Sequence, residues 1–290
     1  MSESFLSAAA ARVSDADRPA DERALTAALD DVSTGLELHG TSLTTLPSGI
    51  SLAFERPRDV DLCGNRLVTL PDDLLSPGAP LKKLSLCRNQ LTHLPPCVAK
   101  VRCPKAFLQH NALTQLDNLP RDDSVTTAAG ETVASGGLAI LDASNNALDG
   151  SLELRDLPTL QKLRLRENML SALHLADVPM LSAVELSANA LTEVPSGLIV
   201  SERYDVLRTL VLGGNRLTAV PDTLACCANL VELDLSANQI GALPAALGDL
   251  TNLKKLWVQV RFVRRFVRSV RSADASVTLA PLSAARPSSP

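Results

Sequence analysis

Aromatic side chains make up only 2% of this chain of 290 residues, so whatever core it builds is aliphatic. Basic character is missing too. The net charge is −4 and the isoelectric point is near 5.6, which excludes general nucleic-acid affinity because that needs a cationic footprint. No stretch reaches the roughly 18 apolar residues of a membrane span. The start, "MSESFLSAAAARVSDADR", has an acidic residue where a signal peptide needs basic ones, and a cytosolic or nuclear protein is expected. The six cysteines include no CxxC pair and no disulfide-cap pattern, in keeping with that compartment. Catalytic motifs are absent as well: no GxxxxGK[ST], HExxH or GxSxG occurs, and His39, His93, His110 and His174 are scattered. No cofactor is implied, and the chain does not read as an enzyme.

What the chain does have is a clock. Asn65, Asn89, Asn111, Asn146, Asn168, Asn189, Asn215 and Asn238 each stand three residues after an apolar residue and two before another. The frame is LxLxxNxL, as in "LKKLSLCRNQL", "LRTLVLGGNRL" and "LVELDLSANQI", and successive Asn spacings are 24, 22, 35, 22, 21, 26 and 23 residues. Self-similarity at that period means a solenoid. Apolar residues five and three before each Asn alternate as on a strand with one buried face, and the one two after it turns inward. The Asn amide bonds backbone groups that Leu cannot reach, so the eight form a structural ladder. Many coils close with Leu-Pro or Val-Pro (Pro47, Pro71, Pro95, Pro195, Pro221, Pro244), where proline fixes φ and donates nothing. About ten residues then remain before the next strand, too few for long helices.

These frames resemble the leucine-rich-repeat family, and most closely its intracellular 23-residue class, LxxLxLxxNxLxxLP, found in Ras-associated scaffolds and all-repeat proteins. The resemblance covers about Leu36 to Val258. It implies an α/β fold: a right-handed horseshoe solenoid with a parallel β-sheet on its concave face. Two outer coils carry Thr41 and Arg261 at the ladder position.

The expected organisation starts with a disordered segment at 1–20 and a capping helix at 21–35, with Leu25, Ala28, Leu29 and Val32 on one face. A repeat domain of about ten coils follows at 36–260, with a polar insertion at 121–137 that stretches one spacing to 35. Segment 261–271 is a basic amphipathic stretch, read as a cap or as a membrane- or partner-binding helix. Residues 272–290 are expected to be unstructured.

The function expected is protein–protein interaction, as a monomeric scaffold in signal transduction. The alternative is a membrane-recruited adaptor using 261–271. Outward residues lie six, four and two before each ladder position. Among them Phe107, Lys162, Arg164, Arg166 and Trp257 are the candidate contacts, because exposed aromatics and Arg most often anchor interfaces. His39, Cys63 and Cys87 share one column on three adjacent strands about 4.8 Å apart. Side chains in line converge poorly on a tetrahedral centre, so no metal site is expected. Asn118, outside the frame, is expected to be solvated.

Overall fold

The computed structural model describes residues 35–46, 59–120, 137–199 and 205–258, with short strands at 125–126, 132–133 and 276–279. The expected capping helix up to residue 34, Arg261 and the whole of 261–271 lie outside the described residues. Two compact units are present, one comprising 1–149 with 156–162 and the other 150–155 with 163–290.

In the first unit, β1 (Gly35–Glu37), β2 (Asp59–Asp61), β3 (Lys83–Ser85), β4 (Lys105–Phe107) and β7 (Ile140–Asp142) pair side by side, all parallel. Each strand is three residues long with its middle residue buried. Gly35, expected to belong to the cap, instead opens β1. A Cβ there would lie 2.6 Å from the Asp59 carbonyl oxygen, so the strand can start this close to β2 only with glycine. Between β4 and β7 the insertion carries β5 (Val125–Thr126) and β6 (Thr132–Val133), an antiparallel pair that bonds to itself while β4 pairs directly with β7.

The second unit repeats the plan with β9 (Lys162–Arg164, whose first residue is counted with the first unit), β11 (Ala183–Glu185), β12 (Thr209–Val211), β13 (Glu232–Asp234), β14 (Lys255–Val258) and β15 (Ser276–Leu279). β15 corrects the expectation that 272–290 is without structure. It pairs in parallel register with β14, Trp257 opposite Thr278, and so covers the backbone groups that an edge strand leaves open.

Two forms recur among the described arcs between strands. After Pro95, Pro221 and Pro244 the chain enters a short 3₁₀ turn, at Pro96–Lys100, Asp222–Cys226 and Ala245–Asp249. The preceding Pro95, Pro221 and Pro244 hold φ near −69°, −70° and −63°. The arcs after Asn146 and Asn168 lack that proline. There the backbone stays extended and forms a second sheet, β8 (Asp149–Leu154) with β10 (Met169–Leu175).

Leu dominates the interior in fixed rows. Leu62, Leu84, Leu86, Leu163, Leu186, Leu210, Leu212 and Leu233 are fully buried, and among the described residues no aromatic side chain is in the buried core. The ladder joins these rows. Asn65 Nδ2 donates to the carbonyls of Leu38 (2.7 Å) and Leu62 (2.9 Å), while its Oδ1 accepts from Leu43 N–H (2.9 Å). Asn89, Asn111 and Asn146 make the same three kinds of bond in the first unit. Asn189, Asn215 and Asn238 make them in the second. Asn168 donates to the Leu165 carbonyl. The Thr41 hydroxyl stands 3.0 Å from both the Leu38 carbonyl and Asn65 Oδ1.

The residue just before each ladder position adopts the left-handed backbone conformation: Gly40, Gly64, Arg88, His110, Asn145, Glu167, Ala188, Gly214 and Ala237. That step turns the chain off the strand and drops the amide inward. Side chains other than glycine tolerate it at a cost of about 1–3 kcal/mol when the surrounding bonds fix it. Those bonds are present: Arg88 N–H donates to Gln109 and Ala188 N–H to Gly213, each 2.8 Å into the next coil. Asn118 departs from expectation. It also has positive φ (60°) and donates 2.9 Å to the Leu94 carbonyl one coil away.

Candidate functional site: the outward strand face

Because strands alternate, the residues flanking each buried Leu point away from the core. In the first unit these side chains form a row of contacts across strands. His39 Nδ1 lies 3.8 Å from Asp61 Oδ1, and Lys83 Nζ lies 3.1 Å from Asp61 Oδ2. Lys83 also stands 6.0 Å from the Phe107 ring centroid. Phe107 is half-buried, its ring partly committed to the face and partly available, with a cation over it.

Cys63 and Cys87 correct the reading of unpaired thiols. They are joined in a disulfide across β2 and β3, with their Cα atoms 4.6 Å apart. Adjacent parallel strands in register bring the two equivalent positions, one coil apart, within bonding reach. The other cysteines are free. Burial pushes the thiols of Cys103 and Cys227 up to about 11 and that of Cys97 upward as well, so all three behave as small core hydrophobes rather than nucleophiles.

In the second unit, Arg164 Nε donates to Glu185 Oε1 at 3.0 Å, and Arg166 Nη1 lies 4.0 Å from the other oxygen of the same carboxylate. Arg166 is exposed and Arg164 half-buried. Lys162 is the exposed first residue of β9. Further along, Lys255 Nζ lies 3.8 Å from Glu232 and 5.8 Å from the Trp257 ring centroid. Trp257 is half-buried on β14. Gly213 leaves room for Asp234: a Cβ there would approach the carboxylate to 2.9 Å. Ion pairs this open contribute about 0–1 kcal/mol to stability, so their main effect is to hold side chains in place.

Two side-chain arrangements were invisible to motif reading. Asp61, four before its ladder position, reaches both neighbouring strands. The pair His174 and Ser196 is the second, with Nδ1 and Oγ 2.6 Å apart on the exposed arc. His174 and Ser196 are also bridge partners in the backbone, so register alone brings them together. Among the described residues no carboxylate orients that imidazole, and the pair lacks the third member of a hydrolytic triad.

A family model described as leucine-rich repeat matches residues 205–259. Over 131 residues the chain is 32% identical to a probable serine/threonine-protein kinase, pats1, of Dictyostelium discoideum. That match covers 42% of this chain and 4% of the relative, so the chain spans only a small part of that protein's length. The solved leucine-rich-repeat domain of APL1B is 22% identical, with a TM-score of 0.62, covering 84% of this chain and 67% of that one. FLRT2, the leucine-rich-repeat component of an octameric complex with Latrophilin 3 and Unc5D, appears in a solved assembly similar at 19% identity and a TM-score of 0.54; 83% of this chain and 87% of that one are covered. The leucine-rich repeat is recognised at 205–259, and the chain has the fold of solved leucine-rich-repeat proteins.

Proposed function

We propose that this chain is a non-catalytic protein-binding module that recognises its partner on the outward strand face. The observation that carries this reading is the Arg164–Glu185–Arg166 arrangement. Glu185 holds Arg164 and stands 4.0 Å from the exposed Arg166, so the Arg166 guanidinium loses little freedom on binding and offers planar recognition of a partner's carboxylates. Lys162 extends the same cationic strand. Phe107 and Trp257, each with a lysine over its ring, supply the apolar anchors of their own units. That FLRT2 is the repeat component of a multi-protein complex supports the class of function. The Pro-closed coils favour the intracellular 23-residue class and a scaffold role in the cytosol.

The test is affinity capture with the intact chain beside Arg164→Glu/Arg166→Glu. Met180→Glu, at an exposed residue on the arc, serves as the charge control. The double reversal is expected to weaken partner binding by about tenfold or more at an unchanged melting temperature, the scale of losing one anchor. Equal binding by the reversal and by wild type would contradict the proposal.

A further inference from the structure

We propose that β1, β2 and β3 carry a zinc-type metal site, built from His39, Asp61, Cys63 and Cys87, which the Cys63–Cys87 disulfide keeps closed and reduction opens. One ligand atom each from His39, Asp61 and Cys63 lies within 4.8 Å of the others. Cys87 is bonded to Cys63 itself and completes a set of one nitrogen, one oxygen and two sulfurs. Ligands at zinc bond lengths of about 2.0–2.3 Å sit roughly 3.3–3.8 Å apart around a tetrahedron. His39 Nδ1 and Asp61 Oδ1, at 3.8 Å, are already close to that separation.

Three cysteine and histidine side chains in one column do not converge, but Asp61 comes from the neighbouring column of the same strand and closes the fourth side. His39 is 68% exposed, so its ring is free to swing onto a metal. Once released from each other, the sulfurs part by rotation about Cα–Cβ, with no need to move strands already 4.6 Å apart at Cα.

Charge explains why the two states differ. In the disulfide state Asp61 carries −1 and Lys83, 3.1 Å away, balances it, so no cation is called for. The disulfide sulfurs are then weak donors, and only His39 and Asp61 remain as ligands. Reduction consumes two equivalents of a thiol, such as a cellular monothiol, or one of a dithiol. The S–S bond breaks, two cysteine thiols form, and the reductant leaves as its own disulfide. A divalent cation then replaces the two thiol protons. The two thiolates, Asp61 and Lys83 sum to −2, which the metal cancels.

The experiment titrates Co²⁺, and then competing Zn²⁺, into the full chain reduced with a phosphine, in a Cys226→Ser background that removes the exposed thiol. The reduced chain is expected to bind one Co²⁺ with thiolate-to-cobalt charge-transfer absorption, displaced by Zn²⁺. The oxidised chain should show no such band. Cys63→Ser should abolish it. His39→Ala, at an exposed side chain that leaves the fold intact, should weaken binding by at least about tenfold, the scale that even an outer-shell partner reaches. That variant carries the test if Cys63→Ser fails to fold. No thiolate band in the reduced chain, equal binding in both redox states, or unaltered affinity of His39→Ala would each overturn the proposal.

Discussion

Leu186→Ala is expected to destabilise the second unit by about 2–5 kcal/mol, the range for truncating a fully buried leucine in a core that relaxes only partly. Leu186 shows no exposed surface, and its carbonyl accepts both Asn189 (3.0 Å) and Asn215 (2.9 Å). Its N–H donates to the Val211 carbonyl at 2.8 Å. Among the described residues the interior holds no aromatic ring to slide into the gap. Urea unfolding followed by circular dichroism checks this. A midpoint indistinguishable from that of Met180→Ala, a truncation at an exposed side chain, would show that the row is not packed as described.

Asn215→Leu is the second large effect, at about 2–4 kcal/mol. Leucine is close to asparagine in size but offers no donor or acceptor. Both carbonyls that Asn215 satisfies keep another partner, since Leu186 still receives Asn189 and Leu212 still receives Asn238. The N–H of Leu191 does not: Asn215 Oδ1 at 3.1 Å is its acceptor, and Leu191 is fully buried. That stranded donor costs about 1–3 kcal/mol, and the lost carbonyl bonds make up the remainder. Asn252→Leu is the contrast. Its amide donates to the Ala228 carbonyl from an exposed position and should cost about 0.5 kcal/mol. Equal shifts in the urea midpoint for the two variants would refute the ladder's energetic role. Because coils couple mainly to their neighbours, hydrogen exchange should rise first around Leu191 and Leu217.

These residues also show what was legible beforehand. The ladder could be read because only an amide both donates and accepts at that turn, so one residue type recurs and keeps the register. The left-handed step just before it could not. Gly40 and Gly64 hint at it, but Arg88, His110, Glu167 and Ala188 adopt the same φ. Their conformation is imposed by bonds into the next coil, which local propensity does not encode. The second sheet of β8 and β10 was marked only by what is missing after Asn146 and Asn168, a proline.

At the candidate site the register placed Cys63 beside Cys87 in one column, yet composition argued for thiols and the structure bonds them. Asp61 was among the outward residues, but its contacts depend on side chains crossing between columns, which strand periodicity does not specify. β15 lies in a stretch whose Ser and Ala content argued against structure. Its pairing depends on β14 offering an unpaired edge, a tertiary circumstance.

Lysine acetylation, compared between the free chain and the chain with its captured partner, tests the outward-face claim most directly. Lys105, Lys162 and Lys255 stand on the outward strand face, whereas Lys100 ends the 3₁₀ turn of an arc, and all four are exposed. If the partner docks on the strands, Lys162 becomes shielded together with whichever of the other two its footprint reaches, and Lys100 reacts at its free rate. Shielding of Lys100 with Lys162 still fully reactive would place the interface on the arcs and contradict the account.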